Sequence, residues 1–320
     1  MTISAQQVKA LRIETGAAMM ECKLALEAAS GDHSAAAQAL KEKGIAVAET
    51  REERSTNAGR VTACVAGGRG IIVKLLCETD FVAINSEFVA LGKAIADSVT
   101  ETGGRYRGEP AYPGQWSAEV TGLLESTTAR IREKIVLSSV SIIEVGPGEL
   151  LGHYEHADGS VAAIVRIRVD RPVNGEAVAA SGHPAASGVP GALETLAHDL
   201  ALHIAARAPR YVSSAQMPEE EKGALRQRFE AEAAALGKPE KVIQAIVEGR
   251  LAKSIRTLCL TEQPFVKDEE ITVAELITSV ADESGATLAV TGFCYDSARE
   301  LPDEPGVEVS TTIHTVARRR

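Results

Sequence analysis

The chain has 320 residues, 45% hydrophobic, 24% charged and only 3% aromatic, a composition that supports about two globular domains and excludes a disordered chain. Its 34 basic and 44 acidic residues leave a net charge of −10, which argues against holding nucleic acid on a broad phosphate-neutralising surface. Apolar runs such as Gly70–Val73 and Leu75–Cys77 are interrupted by charge and fall far short of the ~20 residues that span a bilayer. The opening MTISAQQVKALRIE has no basic region followed by an apolar segment, so a cytoplasmic protein is expected. Five scattered cysteines (Cys22, Cys64, Cys77, Cys259, Cys294) form no C-x-x-C pair and read as small buried hydrophobes.

Three short helices are expected in the first 44 residues. Ser4 with Gln7 has the capping-box spacing, in which each side chain satisfies a free backbone donor of the other. That helix carries Val8, Leu11 and Arg12 and stops at Thr15-Gly16. A second runs from Ala17 to about Ala29 and ends at Ser30-Gly31. Asp32 caps a third through Leu40, ending at Gly44. So small a core suits a docking piece better than a catalytic domain. Met19 and Met20 point about 100° apart on a helix. The default is a core role for one, with the other facing water or a partner.

Residues 50–60 (TREERSTNAGR) read as a linker. Strands Val61–Ala66 and Ile71–Cys77 then flank a glycine-rich hairpin turn at Gly67–Gly70. The polar trio Glu78-Thr79-Asp80 ends the second strand, leaving Phe81-Val82 in a strand-to-helix loop. Pattern alone favours folding the Phe81 ring inward. A helix from near Ser86 carries Phe88, Leu91, Ile95 and Val99. A connecting helix over Glu119–Leu137 and a strand Ser138–Val145 follow. The hairpin-then-helix order recurs in Leu150–Glu155, Val161–Val169 and the periodic Leu193, Leu196, Leu200 and Ile204, which suggests an internal duplication. Arg171–Gly191 reads as a surface loop. Pro218–Leu236 and Glu240–Ser254 read as an antiparallel helical hairpin. A last helix near Val273–Asp282 precedes strand Leu288–Tyr295. Hairpins with helices on one face define an α+β fold.

Signatures of chemistry are sparse. There is no phosphate-loop sequence, and no H-E-x-x-H, G-x-S-x-G or kinase set. His153 and His156 should point to opposite faces of a strand end. His198 and His203 diverge by about 140° on a helix. Surface or packing roles are the expectation for every histidine. Glu219–Glu221 fits the first turn of a helix, where negative charge meets the positive end of the dipole. No metal site or cofactor is expected.

Several segments together resemble the elongation factor Ts family: Val8–Asp32 (VKALRIETGAAMMECKLALEAASGD), Gly70–Ala83 (GIIVKLLCETDFVA), Leu151–His156 (LGHYEH), Glu262–Val266 (EQPFV) and Gly237–Lys253 (GKPEKVIQAIVEGRLAK). The resemblance implies guanine-nucleotide exchange on elongation factor Tu, without covalent chemistry. It implies a ubiquitin-associated-like N-terminal module that docks through Leu11, Arg12, Met19 and Met20. It implies an exposed T-D-F-V tip, Thr79-Asp80-Phe81-Val82, whose ring enters the partner's nucleotide domain while Asp80 disturbs its magnesium. His156 is implied at the partner's phosphate loop, and Ile135 as a further contact. The family's K-I-G-E-N is replaced here, Lys134-Ile135 being followed by Val136-Leu137-Ser138.

The division expected is a docking module at 1–49, a linker at 50–60, core units at 61–137 and at 138–212 with 257–296, a helical hairpin at 213–256 and a tail at 297–320. The partner implied is the GTPase domain of elongation factor Tu, with no nucleic acid or membrane contact. A homodimer or a two-to-two complex fits this reading. The competing readings are a thiol enzyme using Cys22 or Cys77, and a passive helical scaffold.

Overall fold

A computed structural model describes residues 3–15, 17, 19–49, 55–102, 116–170, 190–298 and 314–315. Gly16, part of the expected linker, loop 171–189 and most of the tail lie outside the described residues.

The first three helices are α1 (Ala5–Thr15), α2 (Met19–Ala28) and α3 (His33–Glu49). Both expected caps form. The Gln7 N–H donates to Ser4 Oγ at 3.2 Å while the Ser4 N–H donates to Gln7 Oε1 at 2.9 Å, and the Ala35 N–H donates to Asp32 Oδ1 at 2.9 Å. Val8, Leu11, Cys22, Leu26 and Ala36 enclose a small core of their own. Helix α3 runs through Gly44 instead of stopping there. One interior glycine costs a helix only about 1 kcal/mol, and α3 lies against a later helix that supports it.

Strands β1 (Ala58–Ala66), β2 (Arg69–Cys77) and β3 (Ile135–Glu144) form an antiparallel sheet in that order. Gly67 and Gly68 both take positive φ, +57° and +74°, the backbone a two-residue hairpin turn requires. Strands β4 (Glu149–Glu155), β5 (Val161–Val169), β8 (Leu288–Ser297) and the short β9 (His314–Thr315) form a second sheet. Between β5 and β8 lies a small third sheet, β6 (Pro264–Phe265) with β7 (Asp268–Thr272), which periodicity did not announce.

The two large sheets pack face to face. Val61, Ile72 and Ile143 of the first meet Ala162, Ile164 and Cys294 of the second. Helices cover the outer faces. Phe88, Leu91, Ile95 and Val99 of α5 (Ser86–Thr102) and Val120 of α6 (Ala118–Ile131) pack on Ile71, Val73, Leu75 and Cys77. Leu196, Leu200 and Ile204 of α7 (Pro190–Arg207) pack on Ala163, Val165 and Ile167, and Val273 and Ile277 of α10 (Val273–Ser284) extend the same core beside α7 and β8. Mixed helices and antiparallel sheets make the protein α+β. A strand buried on both faces has no polar side, so β2 reads as a continuous apolar run. Asp296 on β8 ties the sheets together: its carboxylate accepts from Ser139 Oγ at 2.8 Å and lies 3.3 Å from Lys74 Nζ.

Helix α6 is shorter than expected. It ends at Ile131, with Arg132 in the left-handed conformation (φ +65°), and Ile135–Leu137 belongs to β3. Pairing with Leu75–Cys77 overrides any local helical preference there. Helices α8 (Glu219–Ala234) and α9 (Glu240–Leu258) form an antiparallel pair around Phe229, Ala233, Val247 and Leu251, with Arg226–Glu248 and Glu232–Arg250 ion pairs across them. Among the described residues no helix is long and apolar enough to cross a membrane.

Candidate functional site

After β2 the chain makes one helical turn, α4 (Asp80–Ala83), before α5 begins. A single turn has little stability of its own, because the first hydrogen bonds scarcely repay the entropy of fixing the backbone. Anchors on either side of the ring hold it. Val82 and Ala83 turn inward and join the core under α5, while Phe81 and Ile84 turn outward, 79% and 68% exposed. The Thr79 hydroxyl does not cap the turn; it donates to Glu133 Oε1 at 2.9 Å, and the Thr79 N–H donates to Glu133 Oε2 at 3.1 Å. The Cys77 thiol donates to the Thr79 carbonyl at 3.2 Å. Asp80 is exposed, and its Oδ1 accepts the Phe81 N–H at 3.0 Å. The result is a braced tip presenting an acid and an aromatic ring to solvent.

The inward folding of Phe81 that pattern favoured is therefore overturned. Val82 turns the other way: at 8% exposure its side chain anchors the tip from within. Ile84 was missed by sequence reading, although it is an apolar residue just beyond the T-D-F-V run. Glu133 left no local signal, since it meets Thr79 across 54 residues.

Among the N-terminal residues, Leu11 is fully buried and belongs to the core, because α1 turns it toward Cys22 and Leu26. Arg12 is exposed. Neither methionine is a core residue: Met19 is 53% and Met20 62% exposed. Leu24, also exposed, lies one turn from Met20 on the same face. Ile135 opens β3, pairs with Cys77 and is half-buried against the α5–α6 core. Val136 pairs with Leu76 in the same strand.

His156 is exposed in the turn after β4, its Nδ1 3.0 Å from the Tyr154 hydroxyl. The His198 Nδ1–H donates to the His153 carbonyl at 3.3 Å, and the His198 ring meets Tyr154 edge-on. Tip and turn lie on different sheets, β2 and β4, joined where Arg60 bonds Glu155 at 2.6 Å and the Val61 N–H donates to the Gly159 carbonyl at 2.8 Å.

Burial disfavours the thiolate at several of the cysteines. Burial, reinforced by Glu133, pushes the Cys77 thiol up to about 12, and burial raises Cys259 and Cys294 to about 12 as well. Cys22 is buried, its thiol facing the Ala17 carbonyl. Glu219 and Glu220 are exposed at the start of α8, whereas Glu221 turns back to accept from Arg210 and Tyr211.

His203 is a satisfied core histidine. Fully buried, it donates from Nε2 to Gln263 Oε1 at 2.8 Å and accepts the Val266 N–H at Nδ1, 3.1 Å away. Burial holds it below its ordinary 6.5. The unfolded chain therefore takes up a proton that the folded chain refuses. The stability it contributes is complete above about pH 6.5 and is lost as pH falls toward the depressed folded value. His153, lowered by burial and by His198, acts in the same direction. In thermal unfolding between pH 7.5 and 5.5, His203→Gln is expected to flatten the slope, by at most about 1.4 kcal/mol per pH unit.

A braced acid-and-aromatic tip on an α+β body, with a three-helix cluster of its own small core, defines the class: a folded body that presents apolar side chains outward. A family model described as "Elongation factor TS" matches residues 78–295. Proteins named elongation factor Ts are similar along nearly the whole chain. The one from Bdellovibrio bacteriovorus is 36% identical over 296 residues, covering 92% of this chain and 91% of its own. That of Treponema pallidum is 34% identical over 303 residues (91% and 97%), and that of Borrelia hermsii 35% over 298 (93% and 99%). The chain belongs to the elongation factor Ts family, and so to the elongation factors of protein biosynthesis.

Proposed function

We propose that this chain binds elongation factor Tu·GDP and speeds the release of GDP, acting by contact alone. The observation that carries the reading is the exposure of Phe81 on a tip whose neighbours are anchored. A GTPase holds GDP mainly through its phosphates, by a backbone cradle, a lysine and Mg²⁺. A factor that binds better to the state with disturbed metal and phosphate loop weakens the nucleotide by the same factor as the nucleotide weakens it. Phe81 would insert into the partner's nucleotide domain, Asp80 would unsettle its magnesium, and His156 would press on its phosphate loop. Arg12, Met19 and Met20 would supply docking surface. Leu11, Val82 and the half-buried Ile135 would act by holding these surfaces in place.

Release of a fluorescent GDP from elongation factor Tu, with and without the full-length chain, tests the reading. Acceleration at substoichiometric amounts is expected. Binding with an unchanged release rate would make the protein a passive scaffold. Activity that survives replacement of all five cysteines by Ala or Ser would set aside thiol chemistry.

A further inference from the structure

The tip is held from outside itself. Three consecutive residues just past the end of α6 reach two distant places. Arg132, left-handed, closes the helix with its N–H on the Thr128 carbonyl and sends its guanidinium to Glu21 on α2. Glu133 accepts the N–H and the hydroxyl of Thr79. The Lys134 N–H donates to Glu78 Oε1 at 2.7 Å. The next residue, Ile135, begins the strand that pairs with Cys77. One short junction thus touches the N-terminal helices on one side and the root of the Asp80-Phe81 tip on the other.

Both contacts act on segments with little rigidity of their own. Helix α4 is a single turn whose ring is mostly in solvent, so its direction depends on Thr79 at one end and the buried Val82 near the other. The α1–α3 core is small and needs outside contacts to hold an orientation. Among the described residues those contacts include α3 against α6 and the Glu21–Arg132 pair.

We propose that Arg132 and Glu133 are positioning residues for nucleotide exchange. Glu133 holds the Asp80-Phe81 tip outward, and Arg132, through Glu21, aligns the N-terminal docking surface with it. This rests on the exchange reading above. Neither residue touches the nucleotide; each sets the geometry with which other side chains meet the partner.

The two roles separate kinetically. With full-length protein and elongation factor Tu·GDP, Glu133→Ala is expected to lower kcat for stimulated release about tenfold, the scale of a hydrogen bond to a charged acceptor, with little change in KM. Glu133→Gln keeps an acceptor for the Thr79 N–H and should restore most of that loss. Glu21→Arg sets two cations together across a half-exposed pair, so KM should rise by no more than about fivefold while kcat holds. Adding Arg132→Glu reverses the pair and should return KM to the wild-type value.

Amide hydrogen exchange supplies a readout independent of activity. In Glu133→Ala the Thr79 and Phe81 amides should exchange faster while those of β2 and α5 keep their rates. Wild-type kcat and an undisturbed Thr79 amide in Glu133→Ala would overturn the proposal. Faster exchange spread across β2 and α5 would overturn it too, by making Glu133 merely structural. Failure of the charge reversal to restore KM would remove Arg132 from it. A wild-type chain that leaves GDP release unchanged, with the amide result intact, would sink the exchange reading and leave the brace standing as a property of the tip.

Discussion

Phe81→Ala is expected to slow stimulated GDP release by about ten- to a hundredfold while leaving the melting temperature almost unchanged. The magnitude follows from the ring. Burying a phenyl group in a partner is worth about 1.5–3 kcal/mol, and each 1.36 kcal/mol is a factor of ten in rate. The stability half follows from exposure: at 79% the ring has little to lose from the folded state. Phe88, seven residues on, is the internal contrast. It is fully buried on the inner face of α5, and Phe88→Ala should cost about 3–5 kcal/mol of stability. Stopped-flow release and thermal unfolding of both variants check the pair. An early-melting Phe81→Ala protein, or one that releases GDP at the wild-type rate, would show that the ring is not the contact.

The second large effect lies in the body. Gly152, on β4 opposite Val165, sits against α7 so closely that an added Cβ would stand 2.2 Å from the Ala197 carbonyl oxygen and 2.7 Å from Ala197 Cβ. Both partners are backbone or rigid side chain, so α7 must shift or β4 must bend. Gly152→Ala should therefore cost about 3 kcal/mol, the upper range for overpacking in a core. It should also disturb the turn bearing His156, because Tyr154 packs against His198 on that same helix. Thermal unfolding measures the first effect, and the His156 imidazole resonances report the second. An unchanged melt would mean that α7 slides freely over β4.

Much of the local structure was legible because its causes are local. The Ser4–Gln7 box, the Asp32 cap and the Gly67-Gly68 turn each depend on side chains or φ angles within four residues, and each forms as its spacing dictates. A further box of the same kind lies later in the chain. Thr272 with Glu275 has the same spacing, and both of its bonds form at the start of α10. Where reading failed, distant partners decided. Ile135–Leu137 looked like the end of a helix until β2 supplied hydrogen bonds. Gly44 has the look of a stop, yet α3 runs on through it to Glu49, and the helix as a whole lies against α6. Leu11 stands beside Arg12 in a segment similar to the family, yet its side chain faces inward.

The tip divides in the same way. The acid, the aromatic and the family to which T-D-F-V points were all present in the linear chain, since motifs are strings of residue types. Which of the four side chains faces out was not, because a one-turn helix can rotate either way until something fixes it. Here burial of Val82 and the bonds from Thr79 to Glu133 fix it. Residue identity alone thus determined the chemistry this protein carries and the class of partner it suits. Only the folded chain decided the direction of that chemistry, because direction is set by contacts between residues far apart in sequence, and no local preference encodes them.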